Sequence, residues 1–163
     1  MGNTEKYEVR EITWPEKLFI TKRAIVAFDD LPAFFADNYR SIYDAIQKEG
    51  IDAVGPPCAI YYVVNERKKE TDVAAAVPVH ESIPEFTEFE KVVIPSGKVL
   101  TTTYYGPYEN MKAPYSKLEK YLKEHAQKKE FTIEEYHSDP SAQEDPAQWK
   151  TVIYFVLSDN KKA

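Results

Sequence analysis

The sequence predicts an α+β fold in which a βαββ unit occurs twice. Three observations predict it: strand-like runs rich in β-branched and aromatic residues, two helical stripes with the same 4, 3, 4 spacing, and the same element order in both halves. A chain of 163 residues suits a single domain over 1–163, with halves at about 7–80 and 90–158. Antiparallel sheets covered by helices on one face leave the other face available, so we expect pseudo-twofold symmetry and a central ligand cleft.

The first half begins with the strand-like run LFITKRAIVAF, within residues 9–28. A helix is predicted next, because Phe35, Tyr39, Ile42 and Ile46 form an apolar stripe. Asp30 and Pro32 suit its start and Gly50 suits its end. Two further strands follow at 55–64 and 71–79, separated by the charged tip NERKKE.

The second half repeats this order. A strand is predicted over 98–105, followed by a helix whose apolar stripe consists of Met111, Tyr115, Leu118 and Leu122. Pro114 should lie in the first turn of that helix, since proline in a helix interior costs about 3 kcal/mol. The stretch FTIEEYHSD and residues 151–157 give the last two strands, and residues 81–97 join the halves.

Composition excludes several functional classes. A net charge of −6 with no long basic run argues against direct nucleic-acid binding. Cys58 is the single cysteine, so an intramolecular disulfide is excluded, and His80, His125 and His137 show no metal-ligand spacing. No signal peptide or apolar span of roughly 18 residues is present, so we expect a cytoplasmic protein without a membrane partner.

Five motifs in order resemble a known family: YEVREI, GPPCAIYY, DVAAAVPV, IPSGKVLTTTYYGPYENM, and EEYHSDP followed by TVIYFVL. Together they are similar to the effector-binding domain of the gyrase-inhibitor-like (GyrI-like) proteins and of AraC- and MerR-type multidrug-responsive transcription regulators. The resemblance implies the duplicated βαββ fold and a cleft that binds bulky, aromatic, often cationic compounds. We expect no cofactor. Too few residues precede the first strand for a helix-turn-helix, so we expect a stand-alone domain. The first half reads Phe28-Asp29-Asp30-Leu31 where the second has Gly-Pro-Tyr, which is a departure from strict symmetry.

The same resemblance implies that an E-x-Y carboxylate, here Glu134 followed by Tyr136, lies at the cleft floor. Strand alternation separates Glu134 and Tyr136 from Ile133. Because Ile133 suits the helix-covered face, we expect Glu134 to face the cleft. Alternation alone also fits the glutamates being solvated on an edge strand. The other candidate ligand contacts are Tyr62, Tyr105, Tyr154 and Trp149, where Tyr62 corresponds to Tyr136 unless a one-residue slip selects Tyr61.

The leading hypothesis is therefore a small-molecule binding module, with Glu134→Gln as its test. The first alternative is a hydrolase that opens cyclopropane rings of DNA-alkylating natural products, with Glu134 as general base; no other catalytic residue is identified. The second is a gyrase-inhibitor-like module that binds a protein partner. A haem ligand at His125 is a more remote reading, because a histidine near a helix end also suits the helix dipole.

Overall fold

The computed structural model describes residues 7–80, 83–138 and 144–158. The predicted α+β class is confirmed. The strands are β1 Arg10–Trp14, β2 Lys17–Ala27, β3 Cys58–Asn65, β4 Glu70–Val79, β5 Glu90–Ile94, β6 Gly97–Tyr105, β7 Lys129–Tyr136 and β8 Lys150–Leu157, and the helices are α1 Leu31–Lys48 and α2 Lys112–Glu124. The βαββ unit occurs twice, as β2-α1-β3-β4 and as β6-α2-β7-β8.

The chain forms two compact units, which we call the first unit (residues 15–96) and the second unit (residues 1–14 with 97–163). The strand order is β3-β4-β2-β5 in the first unit and β1-β6-β8-β7 in the second. The pairings recorded within each unit are antiparallel.

Each unit also carries an edge strand that the sequence did not predict. Strand β1 precedes β2 in the chain, but it pairs with β6 in the second unit, from Arg10 opposite Thr101 to Trp14 opposite Gly97. Strand β5 lies in the segment expected to join the halves, and it pairs with β2 in the first unit. Residues 81 and 82, at the start of that segment, and residues 139–143, which include the end of the EEYHSDP motif, lie outside the described residues.

The core of the first unit follows the predicted helical stripe. Ile42 and Ile46 of α1 are buried against Ile20 of β2 and against Ala75 and Val77 of β4. The predicted boundary residues are confirmed, because Asp30 precedes the first helical residue, Pro32 lies in the first turn, and Gly50 adopts a positive φ of 70° just beyond the end.

The core of the second unit has the same plan. Leu118 of α2 is buried with Leu100 and Tyr104 of β6 and with Ile153 and Phe155 of β8. These four strand residues therefore mark the helix-covered face of the sheet. Pro114 lies in the first turn of α2, as expected, where its missing N–H interrupts no helical hydrogen bond.

Candidate functional site

Strand register places Glu134 on the helix-covered face of the second unit. Residues directly opposite each other on antiparallel strands share a face, and Glu134 lies opposite Ile153, while Thr132 lies opposite Phe155. Ile133 lies opposite Tyr154 and belongs to the other face. Our expectation that Ile133 would occupy the helix-covered face is therefore wrong, and Glu134 points toward α2.

The Glu134 carboxylate is buried and hydrogen-bonded by two phenols. Glu134 as a whole is 7% exposed to solvent. The Tyr115 hydroxyl, from α2, donates to Oε2, and the Tyr136 hydroxyl, from the same strand, donates to Oε1 at 2.7 Å. Burial raises the pKa of Glu134 above its usual range, and the two phenolic hydrogen bonds oppose that shift. The group can therefore exchange a proton at a less acidic pH than an ordinary glutamate.

Two more aromatic rings extend from Tyr136: Tyr108 lies beside Tyr136, and Trp149 lies beside Tyr108. The Tyr108 ring centroid is 5.5 Å from that of Tyr136 and 5.0 Å from that of Trp149. A backbone hydrogen bond links the segments that carry Tyr108 and Trp149, because the Gly106 N–H donates to the Trp149 carbonyl at 2.9 Å. Gly106 lies just before the 3₁₀ turn that begins at Tyr108. We call Glu134, Tyr108, Tyr115, Tyr136 and Trp149 the Glu134 cluster; all five belong to the second unit.

A second polar group lies on the opposite face of β7. Glu135 Oε1 is 2.7 Å from His137 Nε2 and accepts a hydrogen bond from the Tyr154 hydroxyl at 3.2 Å. The Tyr154 ring packs against Trp14 with centroids 4.6 Å apart. Glu135 is partly buried and His137 is exposed, so the histidine lies where the strand emerges into solvent.

The structure brings together only some of the predicted ligand contacts. Glu134, Tyr136 and Trp149 belong to one cluster, whereas Tyr154 lies on the other face of the sheet. Tyr105 is 59% exposed and follows Tyr104, a core residue of the helix-covered face, so its own side chain lies on the opposite face.

Tyr62 is not the counterpart of Tyr136. In the first unit Tyr61 contacts Phe35 of α1, with centroids 6.5 Å apart, and so occupies the helix-covered face. The register shifts between Tyr61 and Val63. The ring of Tyr62 instead carries the Arg23 guanidinium 3.7 Å from its centroid, and Arg23 makes two hydrogen bonds of 2.8 Å to Asp72.

Sequence reasoning assigned Tyr115 only to the helical stripe and missed its contact with Glu134. A signal was present, because that stripe faces the sheet and Tyr115 is its one residue with a polar tip. A hydroxyl buried at a helix–sheet contact needs a partner, and β7 offers a carboxylate on the same face.

The second unit also contains a cavity of about 340 Å³. The residues that line this cavity are Glu8, Arg10 and Thr101–Thr103, and none of them belongs to the Glu134 cluster. Within the described ranges, no group of three or more His, Cys, Asp or Glu side chains is placed to hold a metal ion. Neither of the two helices there is long and apolar enough to cross a membrane.

A family model described as GyrI-like small molecule binding domain matches residues 7–158. The C-terminal domain of EcmrR matches with a TM-score of 0.80 at 20% identity, over 94% of this chain and 98% of that domain. EcmrR in a complex with DNA gives the same TM-score of 0.80 and 20% identity over 94% of this chain, which spans 58% of that EcmrR chain.

Two more distant structures share the fold. A hydrolase from Listeria innocua matches with a TM-score of 0.64 at 13% identity, over 93% of this chain and 92% of that chain. SAV2435, solved bound to tetraphenylphosphonium, matches with a TM-score of 0.62 at 9% identity, over 95% of this chain and 96% of that chain. No match was found among curated protein sequences.

Proposed function

Because the chain belongs to the GyrI-like small molecule binding domain family, we propose that its Glu134 cluster binds bulky aromatic cations. A carboxylate removed from water attracts a cation more strongly than one in bulk solvent. The faces of the surrounding rings add cation–π attraction of about 0.5–2 kcal/mol each. Glu134 supplies the charge, and Tyr108, Tyr136 and Trp149 supply the rings.

One observation carries this proposal. The hydrogen-bond partners found for the buried Glu134 carboxylate are neutral phenols, and no lysine or arginine of the described ranges forms a salt bridge with it. Buried charges in proteins are ordinarily paired. A ligand that carries a positive charge on a flat organic body would complete the pair and stack on the rings.

The relatives support the same ligand class at the level of the fold. SAV2435 has been solved with tetraphenylphosphonium, an aromatic cation that has no N–H group. The likeness to that protein is structural, so its ligand identifies a probe to try and does not identify the natural ligand of this chain.

The test is calorimetric titration with tetraphenylphosphonium and with a planar cationic dye. We expect saturable binding to the natural sequence and weaker binding to Glu134→Gln. Glu135→Gln is the matched control, because it changes the neighbouring carboxylate on the opposite face of the same strand. Binding that survives Glu134→Gln at full strength, or that falls equally in both variants, would refute the assignment to Glu134.

Hydrolysis is the second candidate function, favoured by the raised pKa of Glu134 and by the shared fold with the Listeria innocua hydrolase. A glutamate with a raised pKa is suited to general base catalysis. In ring opening, Glu134 would take a proton from water as the water oxygen bonds to one cyclopropane carbon. The strained C–C bond breaks, its electron pair passes to the other carbon and the conjugated system attached to it, and that part of the product takes up a proton. Repeated turnover of a cyclopropane alkylator, lost in Glu134→Gln, would establish this activity, whereas binding without product would exclude it.

A further inference from the structure

Thr151, the second residue of β8, has a buried hydroxyl without a protein partner. Its residue is 0% exposed, and no hydrogen-bond partner for Oγ1 exists among the described residues. An unpaired polar group in a protein interior destabilises the folded state, so native structures contain few of them. Such a group beside the proposed binding site is a candidate contact for a bound molecule.

Register places this hydroxyl beside the Glu134 cluster. Thr151 lies directly opposite Tyr136 on β7 and opposite Tyr104 on β6. Ile153, two residues further along β8, lies opposite Glu134. Thr151 and Glu134 are therefore diagonal neighbours on one face of the sheet, a separation of about 7–8 Å between backbone positions. That separation is within the span of one ligand of the proposed size.

We propose that Thr151 is a further ligand contact of this site, and that it selects aromatic cations carrying an N–H donor over quaternary ones. This inference rests on the proposed function of the Glu134 cluster. The Thr151 oxygen has lone pairs that accept a hydrogen bond, and the neighbouring carboxylate favours a positively charged donor. Protonated amines and amidinium groups offer charge and N–H together, whereas quaternary ammonium and phosphonium ions offer charge alone.

Two matched probes separate these classes: 2-naphthylmethylammonium and its N,N,N-trimethyl derivative, titrated at one pH by calorimetry. The measured quantity is the ratio of their dissociation constants. In Thr151→Val the dissociation constant of the primary amine should rise about tenfold relative to that of the trimethyl derivative. This change corresponds to the loss of one hydrogen bond. Thr151→Ser keeps a hydroxyl and should restore the preference of the natural sequence.

Thr102→Val is the control for a buried threonine on the same face. The Thr102 hydroxyl already donates to the Glu8 carbonyl at 2.9 Å, and its residue lies opposite Ile153. This substitution should leave the ratio unchanged and should lower the thermal midpoint of unfolding, because it removes a hydrogen bond that exists. Thr151→Val should keep or raise that midpoint, because it removes a hydroxyl that has no protein partner.

Two results would overturn the inference while leaving the proposed function intact. The first is an unchanged ratio in Thr151→Val, with Glu134→Gln still weakening both probes. The second is a fall in thermal midpoint as large as that of Thr102→Val, which would show that a structural water already satisfies the hydroxyl. If Glu134→Gln weakens neither probe, the proposed function and this inference fail together.

Discussion

Glu134→Gln should abolish the pH dependence that we expect for cation binding by the natural sequence. The pKa of Glu134 is raised above its ordinary value of 4.5 by burial. A cation binds the ionised form, so binding below the folded pKa must release a proton. In that range the affinity should rise about tenfold for each pH unit, equivalent to about 1.4 kcal/mol, and it should level off above the folded pKa.

The magnitude of the substitution follows from the surroundings of the carboxylate. Removing one charge of a close, desolvated pair costs about 2–5 kcal/mol, which is about 30-fold to several thousand-fold in affinity. At low pH the natural protein must first ionise Glu134, so the difference from Glu134→Gln shrinks there. The gap between the two proteins should therefore widen as pH rises and become constant above the folded pKa.

Stability should change with pH in the opposite sense. Between 4.5 and the raised folded pKa, the unfolded chain loses the Glu134 proton while the folded chain keeps it. The folded state then binds more protons, so this contribution to the free energy of unfolding decreases as pH rises through that window. Glu134→Gln cannot ionise, so it should lack this decrease and should equal or exceed the natural protein in stability at neutral pH.

Calorimetry in two buffers with different ionisation enthalpies measures the protons released on binding. We expect up to one proton per tetraphenylphosphonium for the natural sequence and for the Glu135→Gln control, and none for Glu134→Gln. Proton release that persists in Glu134→Gln, or an affinity that is flat with pH in the natural protein, would refute the reasoning.

Three further changes test other parts of the structure. Tyr115→Phe removes a donor to the buried Glu134 carboxylate, so it should cost about 1–3 kcal/mol of stability and shift the pH profile of cation binding upward; an unshifted profile would contradict this. Gly106→Ala should lower the free energy of unfolding, measured with denaturant, by about 2–4 kcal/mol. The reason is that φ at Gly106 is 149° and the added Cβ would lie 2.5 Å from the Tyr104 hydroxyl. A loss below about 1 kcal/mol would contradict this reasoning. Arg23→Ala should cost less than about 1 kcal/mol, because its pair with Asp72 is largely exposed, and a greater loss would show that the Tyr62 contact matters more than we infer.

The long elements were predictable from the sequence because their apolar patterns are strong. Both helical stripes and six strands appear where periodicity places them. Strands β1 and β5 were not predicted, because each has only five residues and includes charged side chains. Their pairing partners also lie far along the chain, so no local pattern reveals them.

The face of β7 could not be predicted, because both faces are buried at its centre. Thr132, Ile133 and Glu134 are 3%, 0% and 7% exposed, so alternation between polar and apolar residues carries no signal there. Choosing Ile133 for the helix-covered face was a choice by hydrophobicity alone. In the first unit the shift of register beside Tyr61 had the same effect, because an irregular strand changes which side chain occupies a face.

The two phenols explain how a carboxylate can remain buried in the second unit without a cation. Tyr115 and Tyr136 satisfy the hydrogen-bonding needs of Glu134, but a neutral donor does not cancel a charge. The remaining cost of ionisation is what raises the pKa of Glu134. If the Glu134 cluster binds a cation as we propose, the bound charge would remove that cost, so the burial that raises the pKa of Glu134 would also make the affinity depend on the charge of the ligand.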